Sequence, residues 1–300
     1  DLILGDPKNF FHPVRLIGRL IEVLRRFLFK ENSFTYGLVL CLLTIGTTGL
    51  FIWHILYLSE NNFLVRIYFL YSALAWRDLK DETGIIFQAL LNKNLKEARK
   101  FLSYVVGRDT ENLNETEIPR AVIETIAENS IDGIISVIFY AGLGYFFAGN
   151  SGMCLSVWIF KAASTLDSMI GYESFGNFGK PSAKLDDILN FIPARIGGLI
   201  IIFAGFLLTG KNLKRSLKIF LLDRKNHKSP NSAHGESAFA GVLNIKLGGE
   251  SFYNGVLKVR PFINAEALEP QIYDIVRAWK LLDVSCSLFT GLIILILWKI

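Results

Sequence analysis

Residues 37–58 form an unbroken apolar run in which the one ionisable side chain, His54, stands near the end. At about 1.5 Å per residue, a helix of this length crosses the roughly 30 Å hydrocarbon core of a bilayer. That constrains the fold more than any other feature, because in lipid each segment must satisfy its own backbone N–H and C=O groups. Residues 63–76, 134–160, 191–209 and 284–298 have similar character. Arg66 lies near enough to a segment end to snorkel, and residues 59–62 contain no Lys or Arg, so 37–58 and 63–76 read as a helical hairpin with an outside tip. The turn signal Gly149-Asn150-Ser151-Gly152 interrupts 134–160, leaving two short membrane segments or one span plus a surface helix. Residues 191–209 contain Arg195 and precede Lys211, Lys214, Arg215 and Lys218, a cluster that the positive-inside bias assigns to the cytoplasm. The run 284–298 ends at the interfacial pair Trp298-Lys299.

The expected fold class is all-α: a polytopic membrane helical protein forming one integral membrane domain over residues 1–300. Its active site, built from helices and loops, is expected on the cytoplasmic face of the cell membrane. One topological conflict stands: if 191–209 crosses once, residues 167–190 and the basic stretch after it lie on opposite sides. Either that segment is re-entrant or an earlier span is miscounted. The chain opens at Asp1 rather than Met, which leaves room for a preceding apolar stretch.

Composition agrees with lipid as a solvent. Charged residues make up 20%, against about 25% in soluble domains, and mean hydropathy is +0.38. Disordered, collagen-like and coiled-coil classes are excluded. The net charge of +5 comes from scattered cations without an RNP-like segment, zinc-finger spacing or basic heptad, so it points to a membrane surface and away from nucleic acid. Cys41, Cys154 and Cys286 lie far apart in apolar stretches, as small buried hydrophobes rather than zinc ligands or a disulfide framework.

The polar segments hold nearly every carboxylate. In residues 118–133, helical spacing puts Arg120, Glu124, Glu128 and Asp132 on one stripe, with Thr125 and Asn129 beside it. Asn114 and Glu117 supply a capping box before it. The plain reading is a solvated charged face. The chemical reading notes that the stripe runs straight into an apolar segment, where crowded carboxylates repel unless they share a cation. A second constellation joins Asp167 to a glycine-punctuated loop containing Lys184, Asp186 and Asp187; paired acids in such a loop suit Mg²⁺, or serve as simple turn caps. Arg195 follows, able to clamp phosphate or to anchor to headgroups. A third contains His227, Ser229, Asn231, His234 and Glu236, whose spacing matches no single-helix metal site. Gly5-Asp6-Pro7 with His12 and Arg15 adds a weaker cluster. No P-loop, nucleophile elbow, H-E-x-x-H or dinucleotide fingerprint is present: Asn177 stands where the P-loop lysine belongs.

Together, GDP…HPVR ending at Arg15, VGRDT at 106–110, E-x-x-AEN-x-x-DG at 124–133, TLDSMIGY at 165–172, LDD…PAR at 185–195 and SPN…E-x-A-x-AG at 229–241 resemble the adenosylcobinamide-phosphate synthase family of cobalamin biosynthesis, in the family's order. Departures are Ser164 for the usual Asn, Lys184 for Arg, and Ser136-Val137-Ile138 in place of a common Pro-Leu pair. The Lys184 change keeps charge but loses the bidentate fork.

The resemblance implies an ATP-dependent acid–amine ligase that joins adenosylcobyric acid to (R)-1-amino-2-propanol or its O-phosphate, with Mg²⁺. Such chemistry needs phosphate-binding cations, a metal bridging phosphates and a base for the incoming ammonium. On that basis Glu124 is the expected catalytic base, with Asp132 second. Asp109, Glu128, Asp186 and Asp187 are the expected metal ligands. Arg15, Arg108, Arg120, Lys184, Arg195, His227, Ser229, Asn231 and Glu236 are the expected substrate contacts. Phe139, Tyr140, Tyr172, Phe175 and Phe178 either line a corrinoid cleft or pack in the interior. The rival reading is a membrane corrinoid-binding or transport protein without catalysis; a lipid-headgroup transferase ranks lower because its D-G-x-x-A-R pattern does not follow Asp132-Gly133. A homo-oligomer is left open.

Overall fold

The computed structural model describes Gly5, residues 12–60 and residues 62–299. Asp6 and Pro7 of the first motif lie outside the described residues. The helices, in chain order, are α1 Pro13–Leu28, α2 Phe34–Leu58, α3 Phe63–Tyr71, α4 Trp76–Leu91, α5 Leu95–Leu102, α6 Glu117–Asn129, α7 Ser136–Ile170, α8 Gly176–Thr209, α9 Leu213–Asp223, α10 Ser232–Leu243 and α11 Ile272–Trp298. A π-helical turn, Ser130–Ile135, joins α6 to α7, and strands β1 Leu247–Tyr253 and β2 Val256–Ile263 precede α11. Four helical stretches among the described residues are long and apolar enough to cross a membrane: Phe34–Leu58, Glu117–Ile170, Glu173–Thr209 and Ile272–Trp298. The fold is a helical membrane architecture, as expected, with one β-hairpin added.

The chain divides into two compact units. The first comprises Asp1–Ala75, Ser136–Asn190 and Leu292–Ile300; the second comprises Trp76–Ile135 and Phe191–Gly291. In the first unit, α2 buries one stripe, Leu40, Cys41, Thr44, Thr48, Ile52 and Leu56, at helical spacing. Leu42, Leu50 and Trp53 on its other faces are more than half exposed, as suits a lipid-facing surface. Close approach requires Gly37, where a Cβ would sit 2.1 Å from the Phe178 carbonyl oxygen. Helix α3 has nine residues and is about 13 Å long, so the expected second arm of the 37–76 hairpin falls well short of a span.

The apolar stretch after residue 134 resolves into two helical arms. At Ala148 and Gly149 the backbone leaves helical geometry, Gly149 taking φ +59°, and the chain reverses. Ser156 Oγ donates to the Tyr140 carbonyl at 2.7 Å, Tyr140 stacks on Phe160, and Gly144 and Gly152 meet backbone to backbone. This is an antiparallel hairpin, so α7 makes no single crossing. Tyr140 and the fully buried Phe178 pack in the interior of this unit.

Asp186 and Asp187, expected in a loop, lie within α8, an uninterrupted helix of 34 residues, about 51 Å long. The glycines read as punctuation serve packing: a Cβ at Gly179 would meet the Ile170 carbonyl oxygen at 2.3 Å. All three cysteines are free and buried, as expected.

Candidate functional site

The second unit gathers most of the ionisable groups singled out in the sequence. The start of α6 follows from local chemistry: the Asn114 side chain accepts the backbone N–H of Thr116 and Glu117, and the Glu117 carboxylate accepts the Asn114 N–H at 2.8 Å. The helix then carries Arg120, Glu124 and Glu128 along one stripe. Straight α-helical spacing does not extend to Asp132, because the π-turn is wound more widely than the helix before it.

Glu124 is the centre of the network. Its side chain is 2% exposed and paired with Arg108 at 2.5 Å and with Arg260 at 3.2 Å, both through Oε2. Its Oε1 accepts the Gly248 backbone N–H at 2.7 Å. Arg260 also donates from Nη1 to Glu236 Oε1 at 3.2 Å, whereas the buried Glu236 Oε2 has no hydrogen-bond partner among the described residues. Glu128 Oε1 accepts the Ser232 hydroxyl at 2.9 Å. Two acids and two guanidiniums thus share an interior where either sign alone would be costly.

Burial pushes the Glu236 carboxyl up to about 8; Arg260 opposes this, and the neighbouring Glu124 and Glu128 reinforce it. Burial works against charge on Arg108 and Arg260 too, yet their carboxylate neighbours outweigh it and hold both above the usual arginine range. Burial depresses His227 despite Glu128, and its Nδ1 accepts the Ser229 backbone N–H at 3.0 Å. Burial, with Arg195 and Arg224 nearby, brings His234 down to about 4; its ring packs edge-on against Phe220.

Arg108 also lines a cleft of about 1080 Å³ with Asp109, Thr110, Glu117, the α5 side chains Lys96, Arg99 and Lys100, and Ser103 at the C-cap of α5. Asp109, an expected metal ligand, is engaged by the β-hairpin: its carboxylate oxygens accept the N–H groups of Asn254 at 3.0 Å and Gly255 at 2.7 Å. Asn254 and Gly255, at φ +51° and +76°, form the two-residue turn. Arg120 pairs with Glu117 at 3.7 Å and Glu269 at 3.6 Å rather than entering the Glu124 network. Arg195 donates to Asn231 Oδ1 at 3.1 Å and lies over the Phe191 ring.

The remaining expected site residues belong to the first unit. Asp186 accepts from Asn190 at 3.0 Å, and Asn190 accepts the Ser136 hydroxyl at 2.6 Å. Asp187 follows on the same helix, Lys184 lies over the Phe34 ring, and Arg15 is exposed on α1. Among the described residues, no three His, Cys, Asp or Glu side chains come together in a way that would hold a metal ion. Of the four expected metal ligands, Asp109 and Glu128 belong to the second unit and Asp186 and Asp187 to the first.

Arg260, Ser232, the Gly248 amide and the α5 cations were not anticipated. The Asn254-Gly255 pair between β-forming residues was the available signal for the hairpin that delivers Arg260.

Comparison with known proteins covers nearly the whole chain. The family described as "CobD/Cbib protein" matches residues 1–282. Proteins named "Cobalamin biosynthesis protein CobD" match at high coverage. That of Clostridium perfringens is 42% identical over 98% of this chain and 93% of its own length. That of Pelobacter propionicus is 43% identical over 88% and 81%, and that of Leptospira interrogans 38% over 96% and 91%. No solved structure matches the chain. With this coverage, and with the Glu124 and Glu236 motifs joined in one buried network, the chain belongs to the CobD/Cbib family.

Proposed function

We propose that this protein is an ATP-dependent amide ligase of cobalamin biosynthesis, joining adenosylcobyric acid to (R)-1-amino-2-propanol or its O-phosphate at the cytoplasmic face of the cell membrane. The observation that carries the reading is Arg108: it lines a wide cationic cleft while Glu124 holds it from behind. The family relatives, named for cobalamin biosynthesis, supply the substrate class. The basic cluster at Lys211, Lys214, Arg215 and Lys218 supports the cytoplasmic side.

A carboxylate is a poor acyl donor. Its oxygen attacks the terminal phosphorus of ATP, ADP departs, and the acyl phosphate formed is then attacked by the amine, releasing phosphate and one proton from the nitrogen. Two lower barriers replace one high barrier. Mg²⁺ enters as part of the nucleotide co-substrate, retaining several waters and bound mainly through phosphate oxygens.

Within this chemistry Arg108 stabilises anionic oxygen at the cleft wall. Glu124, with Oε1 committed to the Gly248 N–H and Oε2 to two guanidiniums, is assigned the role of a positioning residue for Arg108, in place of the base expected from the sequence. Glu236, with one unpartnered oxygen and a carboxyl near 8, is the group in the network suited to taking up a proton near neutral pH.

The experiment combines purified protein with adenosylcobyric acid, each amino alcohol and Mg·ATP, scoring amide product by mass and ADP release. One ADP per amide supports the reading. Corrinoid binding without ADP release would instead favour the non-catalytic carrier. Glu124→Gln should lower kcat at least tenfold, and Glu236→Gln should remove a limb of the pH–rate profile near 8.

A further inference from the structure

Helix α5 carries a cationic stripe facing the cleft. Lys96, Arg99, Lys100 and Ser103 stand at i, i+3, i+4 and i+7 and all line it, while Ala98 and Leu102 on the opposite side are fully buried. The helix is anchored by a capping box in which Asn94 accepts the Glu97 N–H at 3.1 Å and donates to the Glu97 carboxylate at 2.9 Å. Its direction is thus set by packing and capping, independently of the cations.

The acids of the same lining are mostly turned to other work. Asp109 clamps the hairpin turn, and Glu117 serves Asn114 and Arg120; Glu111 is the exposed exception. Lys96 and Lys100 have no carboxylate partner among the described residues, although like charges four apart on a helix repel. Arg99 commits Nε to the Leu113 carbonyl at 2.8 Å, which fixes its guanidinium at the cleft wall. Arg108 closes the set from the Glu124 side. Two ammonium point charges beside two oriented guanidiniums match the chemistry of a polyphosphate, with its many oxygens and distributed charge. The volume, about 1080 Å³, slightly exceeds the usual range of small-molecule sites, about 300–1,000 Å³.

We infer that this cleft, with Lys96, Arg99, Lys100 and Arg108 as its cations, binds the triphosphate of Mg·ATP. The identity of the nucleotide rests on the ligase reading above; the affinity for polyphosphate rests on the cleft. Ser103, at the end of the stripe, donates its hydroxyl to the Lys100 carbonyl at 2.8 Å.

The test uses the full chain in detergent and in lipid nanodiscs, with inorganic tripolyphosphate and Mg·ATP as probes. Lys96→Gln with Lys100→Gln alters exposed side chains only, so folding is retained and checked by circular dichroism. The expected result is a roughly tenfold rise in Kd for both probes and a matching rise in KM for ATP. A separate Arg99→Lys variant should weaken both probes several-fold. Unchanged affinity for both probes in the double variant overturns the inference. So does loss of binding to anionic-lipid vesicles alone, which would assign the stripe to headgroups. If the double variant loses Mg·ATP affinity while the parent makes no amide, the cleft is upheld and the ligase reading falls.

Discussion

Replacing Arg260 by Met removes the guanidinium that sits between two buried carboxylates. Arg260 lies 3.2 Å from Glu124 and 3.2 Å from Glu236, and each of those acids is 2% exposed. Breaking one side of a buried ionic group costs about 3–5 kcal/mol, chiefly because an uncompensated charge remains. Here the loss should fall at the lower end at pH 7. Burial raises the Glu236 carboxyl and so favours its protonated form at that pH, and Glu124 retains Arg108 and the Gly248 amide. Arg260→Met should therefore cost about 3 kcal/mol. The deficit should widen above pH 8, where the parent's Glu236 ionises against Arg260 and the variant's cannot. Adding Glu236→Leu removes the stranded acid, and the double variant should recover most of the loss, since an apolar pair of similar volume replaces a buried ionic pair at little cost. Equilibrium unfolding in detergent micelles, followed by tryptophan fluorescence at several pH values, measures all three proteins. A single variant within about 0.5 kcal/mol of the parent, or a double variant no better than the single, would refute the charge-balance reasoning.

Two further outcomes follow from packing and from proton linkage. Gly37→Ala should destabilise the first unit by about 1–3 kcal/mol or more, because its Cβ would lie 2.1 Å from the Phe178 carbonyl oxygen; thermal unfolding reads this, with Gly46→Ala, which meets nothing within 4 Å, as the control. His234, at about 4 in the folded chain, refuses a proton that the unfolded chain accepts below about 6.5, so its contribution to stability is lost as pH falls from 6.5 toward 4. Glu236 has the opposite sign. The folded chain keeps a proton that the unfolded chain releases above about 4.5, so stability declines as pH rises from there to about 8. His234→Gln and Glu236→Gln should each flatten their own window in a pH series of unfolding midpoints.

Buried His234, half-buried His227 and the two central glutamates belong to stretches that are visible as sequence, yet their roles are not. Glu124 is the expected base on the ligase chemistry that the family resemblance implies. Seen with its partners, it has every oxygen committed, and the group with an unpartnered oxygen is Glu236, which lies 112 positions later. The resemblance implies Asp109 as a metal ligand; the structure adds that its carboxylate accepts the Asn254 and Gly255 N–H groups of the hairpin turn, a contact that local sequence does not reveal. The cations of α5 went unnoticed because a charged helical face is the commonest surface pattern, and only the cleft against which they lie distinguishes them.

By itself the amino-acid sequence determined the solvent, the element type and the kinship. Apolar runs of span length, the capping box before α6 and six separated motifs are local or ordered features, and hydration and hydrogen-bond chemistry act on them within a few residues. Tertiary structure alone decided the hairpin reversal at Ala148–Gly149, the continuity of α8 through Asp186 and Asp187, and the meeting of Glu124 with Arg108, Arg260 and Gly248. Each of these depends on which buried surfaces and charges find complements far along the chain. Local periodicity carries no record of that choice, which is made by the cost of leaving a buried charge or backbone group without a partner.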